Sequence, residues 1–359
     1  MSGRVVVLGG GSLGRAVCTG LATVARSPLR VWLAARDRQA AEEICQLGSV
    51  LATASGSPVG FTAARLDLAD QAALRRLLAD AAPAIVLLCA STQSPWEGLS
   101  ARSAWTDLTD RAGIALALPL HAEFAVTVGA AAADTGNVFL NACFPDAVNP
   151  VLAALGIPVL AGVGNVATTA AALRAALDSP DPAELVVLAH HLHLHEPERA
   201  EDDALAWYRG RAIAVGPLLA AQRAVSRREA NQLAGHLAAR LLAELAAGQE
   251  IDTHLPGPAG RTGGYPVHIG PGDVTLRLPA RLTEAEAVAR NQHWAWLEGV
   301  VVADGRVRFT PSVADRFAAV LPGLADGFAA ADALDVARWL GRIRDRLRTN
   351  HPVERGDTS

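Results

Sequence analysis

The run Leu188-Ala189-His190-His191-Leu192-His193-Leu194-His195 concentrates imidazoles, the side chains best matched to proton transfer near neutral pH. Read as the end of a strand, it puts His191, His193 and His195 on one face and His190 on the other with Leu192 and Leu194. Imidazoles at alternate positions suit a general acid/base among polar neighbours, a zinc site wanting one more ligand, or a solvated set. A second concentration is Asn141-Ala142-Cys143-Phe144-Pro145-Asp146-Ala147-Val148-Asn149-Pro150, followed by Gly162-Val163-Gly164-Asn165. Asp146 and Asn149 are candidates there to hold a carboxamide or a polar group of a substrate, and Asn149-Pro150 equally reads as a turn opening a helix.

The means of bringing a reactant to these groups lies near the N-terminus, in Val5-Val6-Val7-Leu8-Gly9-Gly10-Gly11-Ser12-Leu13-Gly14-Arg15-Ala16. An apolar strand breaks into glycines and resumes with helical spacing, the pattern of a dinucleotide-binding turn. Gly9, Gly11 and Gly14 leave room for the tight turn, for a pyrophosphate and for helix-on-strand packing. The backbone around Ser12 and Leu13 then offers amides and a helix dipole to the phosphates. The second strand ends in Ala34-Ala35-Arg36, where an acidic residue would hold a ribose 2′-hydroxyl. Arg36 and Arg38 favour a 2′-phosphate instead, so NADP is the expected cofactor, with NAD possible; both arginines also read as solvated surface. Asp67 fits the adenine edge or a helix N-cap equally. Ala90, Ser91 and Thr92 close a buried strand at the sheet edge where ligands bind, which makes them neighbours of a nicotinamide ribose.

Composition narrows the class. The 359 residues exceed one ordinary core, and 51% hydrophobic content supports a large buried interior. No apolar run reaches the roughly 18 residues of a bilayer span, so neither a membrane nor secretion is expected. A net charge of −4 with both signs dispersed gives no basic stripe for nucleic acid. Cys18, Cys45, Cys89 and Cys143 are far apart in apolar contexts and read as buried thiols of a cytoplasmic protein. All 32 basic residues are Arg, so Schiff-base chemistry and a Lys acid or base are excluded.

The elements that must position these residues alternate through the first part of the chain. Strands are expected at 4–8, 29–35, 59–65, 84–90, 137–142 and 157–161, with helices near 12–25, 38–46, 70–80, 100–112 and 119–133. The loop and helix with Trp96, Arg102 and Trp105 would cover the site as a lid, or their aromatics simply pack. The fold class expected is α/β: an N-terminal doubly wound parallel (Rossmann) sheet over 1–165, and an α+β domain with a mostly antiparallel sheet over 166–320. Residues 321–350 read as C-terminal helices returning to the first domain, and 351–359 as a disordered tail. In the second part a strand spans 185–195 and a long helix covers 226–247. One hairpin turns at Gly270-Pro271-Gly272-Asp273 and another at Asp304-Gly305, a helix at 283–298 joins them, and 312–348 is helical. The turn at Arg261 reads as an anion site or an ordinary hairpin approach, and His236 as packing or surface. Apolar faces on the second-domain helices point to a homo-oligomer, a dimer in the simplest case.

Two resemblances follow from these residues. Asn149-Pro150-Val151-Leu152, Gly162-Val163-Gly164 and Val187-Leu188-Ala189-His190-His191 resemble the lactate/malate dehydrogenase pattern. That likeness implies that Asn149 orients nicotinamide or substrate and that His191 exchanges the carbonyl proton. Where it implies an Asp partner and a substrate-binding Arg, this chain has Ala167-Thr168-Thr169-Ala170-Ala171. Arg36, the Asp67-Leu68-Ala69-Asp70 run and the Val86-Leu87-Leu88-Cys89-Ala90 strand are similar to the saccharopine dehydrogenase-like oxidoreductases, a broader likeness that implies a second domain with an antiparallel sheet. The combined expectation is an NAD(P)-dependent oxidoreductase acting on a C=O or C=N carbon of a small polar metabolite. A non-catalytic NADP-binding sensor, or a metal enzyme built on His191, His193 and His195, are the competing expectations.

Overall fold

The computed structural model describes residues 3–94, 97–179, 181–270 and 273–349. Trp96, the Pro271-Gly272 turn and the 351–359 tail lie outside the described residues.

Strands β1 (Gly3–Leu8), β2 (Leu29–Ala35) and β3 (Val59–Arg65) alternate with helices α1 (Ser12–Val24), α2 (Arg38–Ser55) and α3 (Gln71–Ala81). After β4 (Ile85–Leu88) come α4 (Glu97–Ser100), α5 (Ala104–Ala112) and α6 (Leu118–Asp134), then β5 (Val138–Asn141), α7 (Pro145–Ala154), β6 (Ala161–Gly162) and α8 (Asn165–Ala176). The six strands pair in parallel in the order β3-β2-β1-β4-β5-β6. Strand order reverses between β1 and β4, and the crevice at their carboxyl ends is where such sheets bind ligands. Both faces are buried: Val6 and Leu8 of β1 enter one apolar cluster, Val5 and Val7 the other.

The rest of the chain closes over this sheet. It contains β7 (Leu185–Leu188), β8 (Leu205–Tyr208), β9 (Arg211–Ile213), α9 (Gly216–Arg223) and α10 (Arg227–Ala246). It continues through β10 (Ile251–Pro256), β11 (Gly264–Gly270), β12 (Asp273–Leu276), α11 (Glu284–Glu298), β13 (Val300–Ala303), β14 (Arg306–Phe309), α12 (Pro311–Phe317), α13 (Pro322–Ala325), β15 (Phe328–Ala329) and α14 (Ala333–Thr349). The strands form antiparallel sheets β7-β8-β9, β10-β11-β12 and β13-β14-β15, and an Ala189–Gly264 bridge ties the first to the second. Helix α14 packs on α6 and α5, and α10 packs along α1.

Four expectations need correction. The strand expected over 185–195 ends at Leu188, and His191–Leu194 is a 3-10 turn; the alternating Leu and His mimic a strand, but the backbone curls. The stretch 312–348 is not one helix, because Gly327, at φ 72 with its Cα against the β14 backbone, turns the chain into β15. Asn149-Pro150 lies inside α7, not at a turn. Pro150 cannot donate to the carbonyl one turn back, and the Gly263 amide takes that Asp146 oxygen at 3.3 Å. By length and composition the helical stretch Ile114–Asp134 could cross a membrane, contrary to the reading of the apolar runs; most of it is buried inside this fold.

Candidate active site

The glycine turn has the expected geometry. Gly9 adopts φ 118, and a Cβ on Gly14 would lie 1.9 Å from the Gly9 carbonyl. Gly11 caps α1 with no side-chain partner, space around it is open, and no acidic residue sits in the first turn. The first amides of α1, near Ser12, Leu13 and Gly14, therefore meet the crevice uncapped. Ser12 is held from outside by Asn231 of α10, whose amide donates to its hydroxyl at 3.0 Å.

The other cofactor candidates divide. Arg36 is exposed and has no ion pair among the described residues, whereas Arg38 pairs with Glu42 on its own helix at 2.7 Å. Asp37 follows Arg36 and caps α2 by accepting from the Ala40 amide at 3.1 Å, so a carboxylate does stand at this edge. Asp67 is exposed and accepts from the Ala69 amide, while Asp70 caps α3. Beyond Ala90, Ser91 and Thr92 spend their hydroxyls within the protein: Ser91 donates to the Gln93 carbonyl and Thr92 to the Leu120 carbonyl.

The polar residues of the β5–α7 segment converge, but they form scaffold. Asn149 is fully buried, accepting from Asn141 at 2.9 Å and donating to the Gly257 carbonyl at 3.0 Å. It cannot also orient a nicotinamide or substrate, which corrects that expectation. Asp146 is likewise buried; it accepts from the Asn165 amide at 2.6 Å and from the His191 backbone N–H at 3.1 Å. Its work is to fix where His191 stands.

His191 is the group this scaffold presents. Its Nδ1 meets Glu298 Oε1 and its side chain is 23% exposed, while Glu298 is 9% exposed. With the Nδ1 proton on the carboxylate, Nε2 is the nitrogen left for a reactant. Burial pulls the His191 imidazole down, but Glu298 pushes it up and prevails, so it lies above its ordinary value. Burial likewise works against the Glu298 carboxylate, yet the two adjoining imidazoles hold it well below the usual range.

Glu298 was not anticipated from the sequence. It is the last residue of α11, continuing the buried positions Ala287, Asn291 and Trp294 at helical spacing. That stripe was its only signal. A carboxylate at a helix C-terminus faces the unfavourable end of the dipole, so the imidazoles must offset the cost.

His121 was also missed, being a lone His in the apolar start of α6. Ser91 gives its proton to Gln93, so His121 Nδ1 donates to Ser91 Oγ at 3.2 Å. Burial pushes His121 down to about 4, with the His191 charge adding to it. Phe144 stands between the two imidazoles, edge-on to His121 at 6.2 Å and to His191 at 5.3 Å. It holds the left-handed conformation at φ 46, a strain that accompanies site residues.

The remaining histidines turn elsewhere. His193 is buried, with Nε2 on the Asp202 carbonyl at 2.9 Å and its ring edge-on to Trp294; burial brings it down to about 4. His191 and His193 therefore do not share a face, and among the described residues no group of three His, Cys, Asp or Glu side chains is placed to hold a metal. Arg261 is occupied by Glu284 at 2.7 Å.

No family model matches the chain, and no curated protein matches it. Among solved structures it is similar to MGS-M5, a lactate dehydrogenase from a Medee basin deep-sea metagenome library. Identity is 14% and the TM-score 0.50, with 83% of this chain and 96% of that chain covered. The likeness is one of fold alone. It lends nothing to the narrower saccharopine dehydrogenase-like resemblance.

Proposed function

We propose that this chain is an NAD(P)-dependent oxidoreductase that interconverts a C=O or C=N group of a small polar metabolite with its reduced form. The observation that carries this reading is the His191–Glu298 pair beside the ligand edge of the sheet. The cradle fits a dinucleotide: Gly9, Gly11 and Gly14 leave backbone room, and α1 presents uncapped amides. Bound there, the nicotinamide supplies or accepts the hydride. The protein's own residues do the rest. His191 holds a proton on Nε2 for the substrate oxygen or nitrogen, Glu298 balances the imidazolium, and Asp146 anchors its backbone. Phe144 keeps that side of the site apolar. NADP is the preferred cofactor, because Arg36 is free to meet a 2′-phosphate.

The test is titration of wild type and Arg36→Ala with NADPH and NADH, followed by nicotinamide absorbance with panels of oxo acids, aldehydes and imines. Wild type should favour NADPH by about tenfold, one charge-assisted contact, and Arg36→Ala should erase that margin. No affinity for either nucleotide would overturn the reading.

A further inference from the structure

Glu298 is shared. While Oε1 serves His191, Oε2 lies 3.2 Å from Nδ1 of His190, a side chain only 1% exposed. A bare nitrogen lone pair at that distance from a buried carboxylate would be repelled, so the proton of His190 belongs on Nδ1. The competing contact, from the Leu192 amide to the same nitrogen, is 3.4 Å long.

His190 faces away from the crevice. The Ala189–Gly264 bridge sets Leu188 opposite Tyr265, and His190, two residues on, shares that face of the pairing. His190 Nε2, the Tyr265 hydroxyl, Asn291 Oδ1, Trp294 Nε1 and Glu298 Oε2 itself are all buried without hydrogen-bond partners among the described residues, so the 3.2 Å approach of His190 to Oε2 is an ion-pair contact that a small turn of the ring would close into a hydrogen bond. The carboxylate therefore joins an outer imidazole that meets the reactant to an inner one that does not.

We propose that His190 is a positioning residue for proton transfer, donating Nδ1–H to the oxygen His191 leaves free and so dividing the Glu298 carboxylate between two imidazoles. This rests on His191 being the proton-transfer group. The division fixes the carboxylate rotamer and limits how tightly His191 holds its proton. Without the donor, the full charge of Glu298 falls on His191, and its imidazolium is stabilised further. The other groups bearing on the pair are Asp146 from α7, His121 from α6, Arg227 from α10 and His195 on the same segment. His193, itself flanked by Asp203 and Arg223, bears on His190.

Nitrogen NMR of the full chain labelled in histidine, without nucleotide, tests this directly. In wild type at neutral pH His190 should carry its proton on Nδ1 with Nε2 bare; the opposite tautomer overturns the proposal even if no variant folds. His190→Leu should raise the His191 midpoint by about one pH unit, the order of one hydrogen bond to a charged group. His190→Asn, which restores an N–H near the Nδ1 position, should return it. An unmoved midpoint in His190→Leu also overturns the proposal. Nucleotide titration of the same samples separates failure of the oxidoreductase reading, which would abolish binding and leave the NMR result intact.

Discussion

A histidine that must transfer protons is defined less by its own position than by what holds its far nitrogen, and for His191 that partner is Glu298. His191→Gln should cut kcat/KM by about 10²- to 10⁴-fold, the usual worth of general acid–base catalysis, with nucleotide affinity unchanged in a binding titration. Glu298→Gln removes the charge that lifts the His191 midpoint, so its pH–rate limb should move to lower pH; a limb that stays in place would assign the titration to another group. The stability linked to His191 is fully present below its unfolded value and fades as pH rises through the higher folded one. At this scale residue type and spacing singled out both His191 and Asp146, but Asp146, expected to hold a carboxamide or a substrate group, is buried and anchors the His191 backbone instead. Glu298 was not singled out, because it lies 107 residues away and is brought in by the packing of α11 on the histidine turn. Asn149 drew attention for the right chemistry, but burial gives its amide wholly to the scaffold.

Between residue and molecule, the decisive pair of elements is α1 with α10. Ser12 meets Asn231, Ala16 meets Gly235 and Gly20 meets Ala239, a constant offset that makes the helices parallel along a stripe of small residues. Both N-termini therefore point toward the glycine turn. A Cβ on Gly235 would sit 2.3 Å from that of Ala16, with helix backbone close behind. Gly235→Ala should therefore cost about 1–3 kcal/mol in denaturant unfolding, and by displacing Asn231 from Ser12 it should weaken nucleotide binding as well. A variant as stable as wild type would show that α10 has room to slide. The parallel sheet was legible because alternation of apolar runs with helical patterns has few other solutions. The α1–α10 seam was not, since alanine and glycine leave no hydrophobic contrast to read. The 3-10 turn at His191 failed for the opposite reason: its Leu/His alternation copies strand period without strand pairing.

Across the whole molecule, both faces of the sheet are sealed by elements from the second half of the chain: β13, β14 and α14 join one apolar cluster, α10, β10 and β11 the other. Sealing them traps histidines as neutral groups. Burial takes His254 from 6.5 down to about 3, and its Nε2 accepts the Val187 amide at 3.0 Å, tying β10 to β7. Burial also takes His121 and His193 from 6.5 to about 4. Each lowered value means that the unfolded chain binds a proton the native one refuses, so stability is lost as pH falls from 6.5 toward the folded values. Three such groups acting together give a slope of about 4 kcal/mol per pH unit in that window. Glu298 adds to it only below the ordinary glutamate range, since its depressed value withholds a proton only there. Urea unfolding between pH 6 and 4.5 should trace this slope. His254→Gln keeps an acceptor for Val187 without the titration and should lower the slope by about 1.4 kcal/mol per unit; an unchanged slope would show that His254 is protonated in the folded chain.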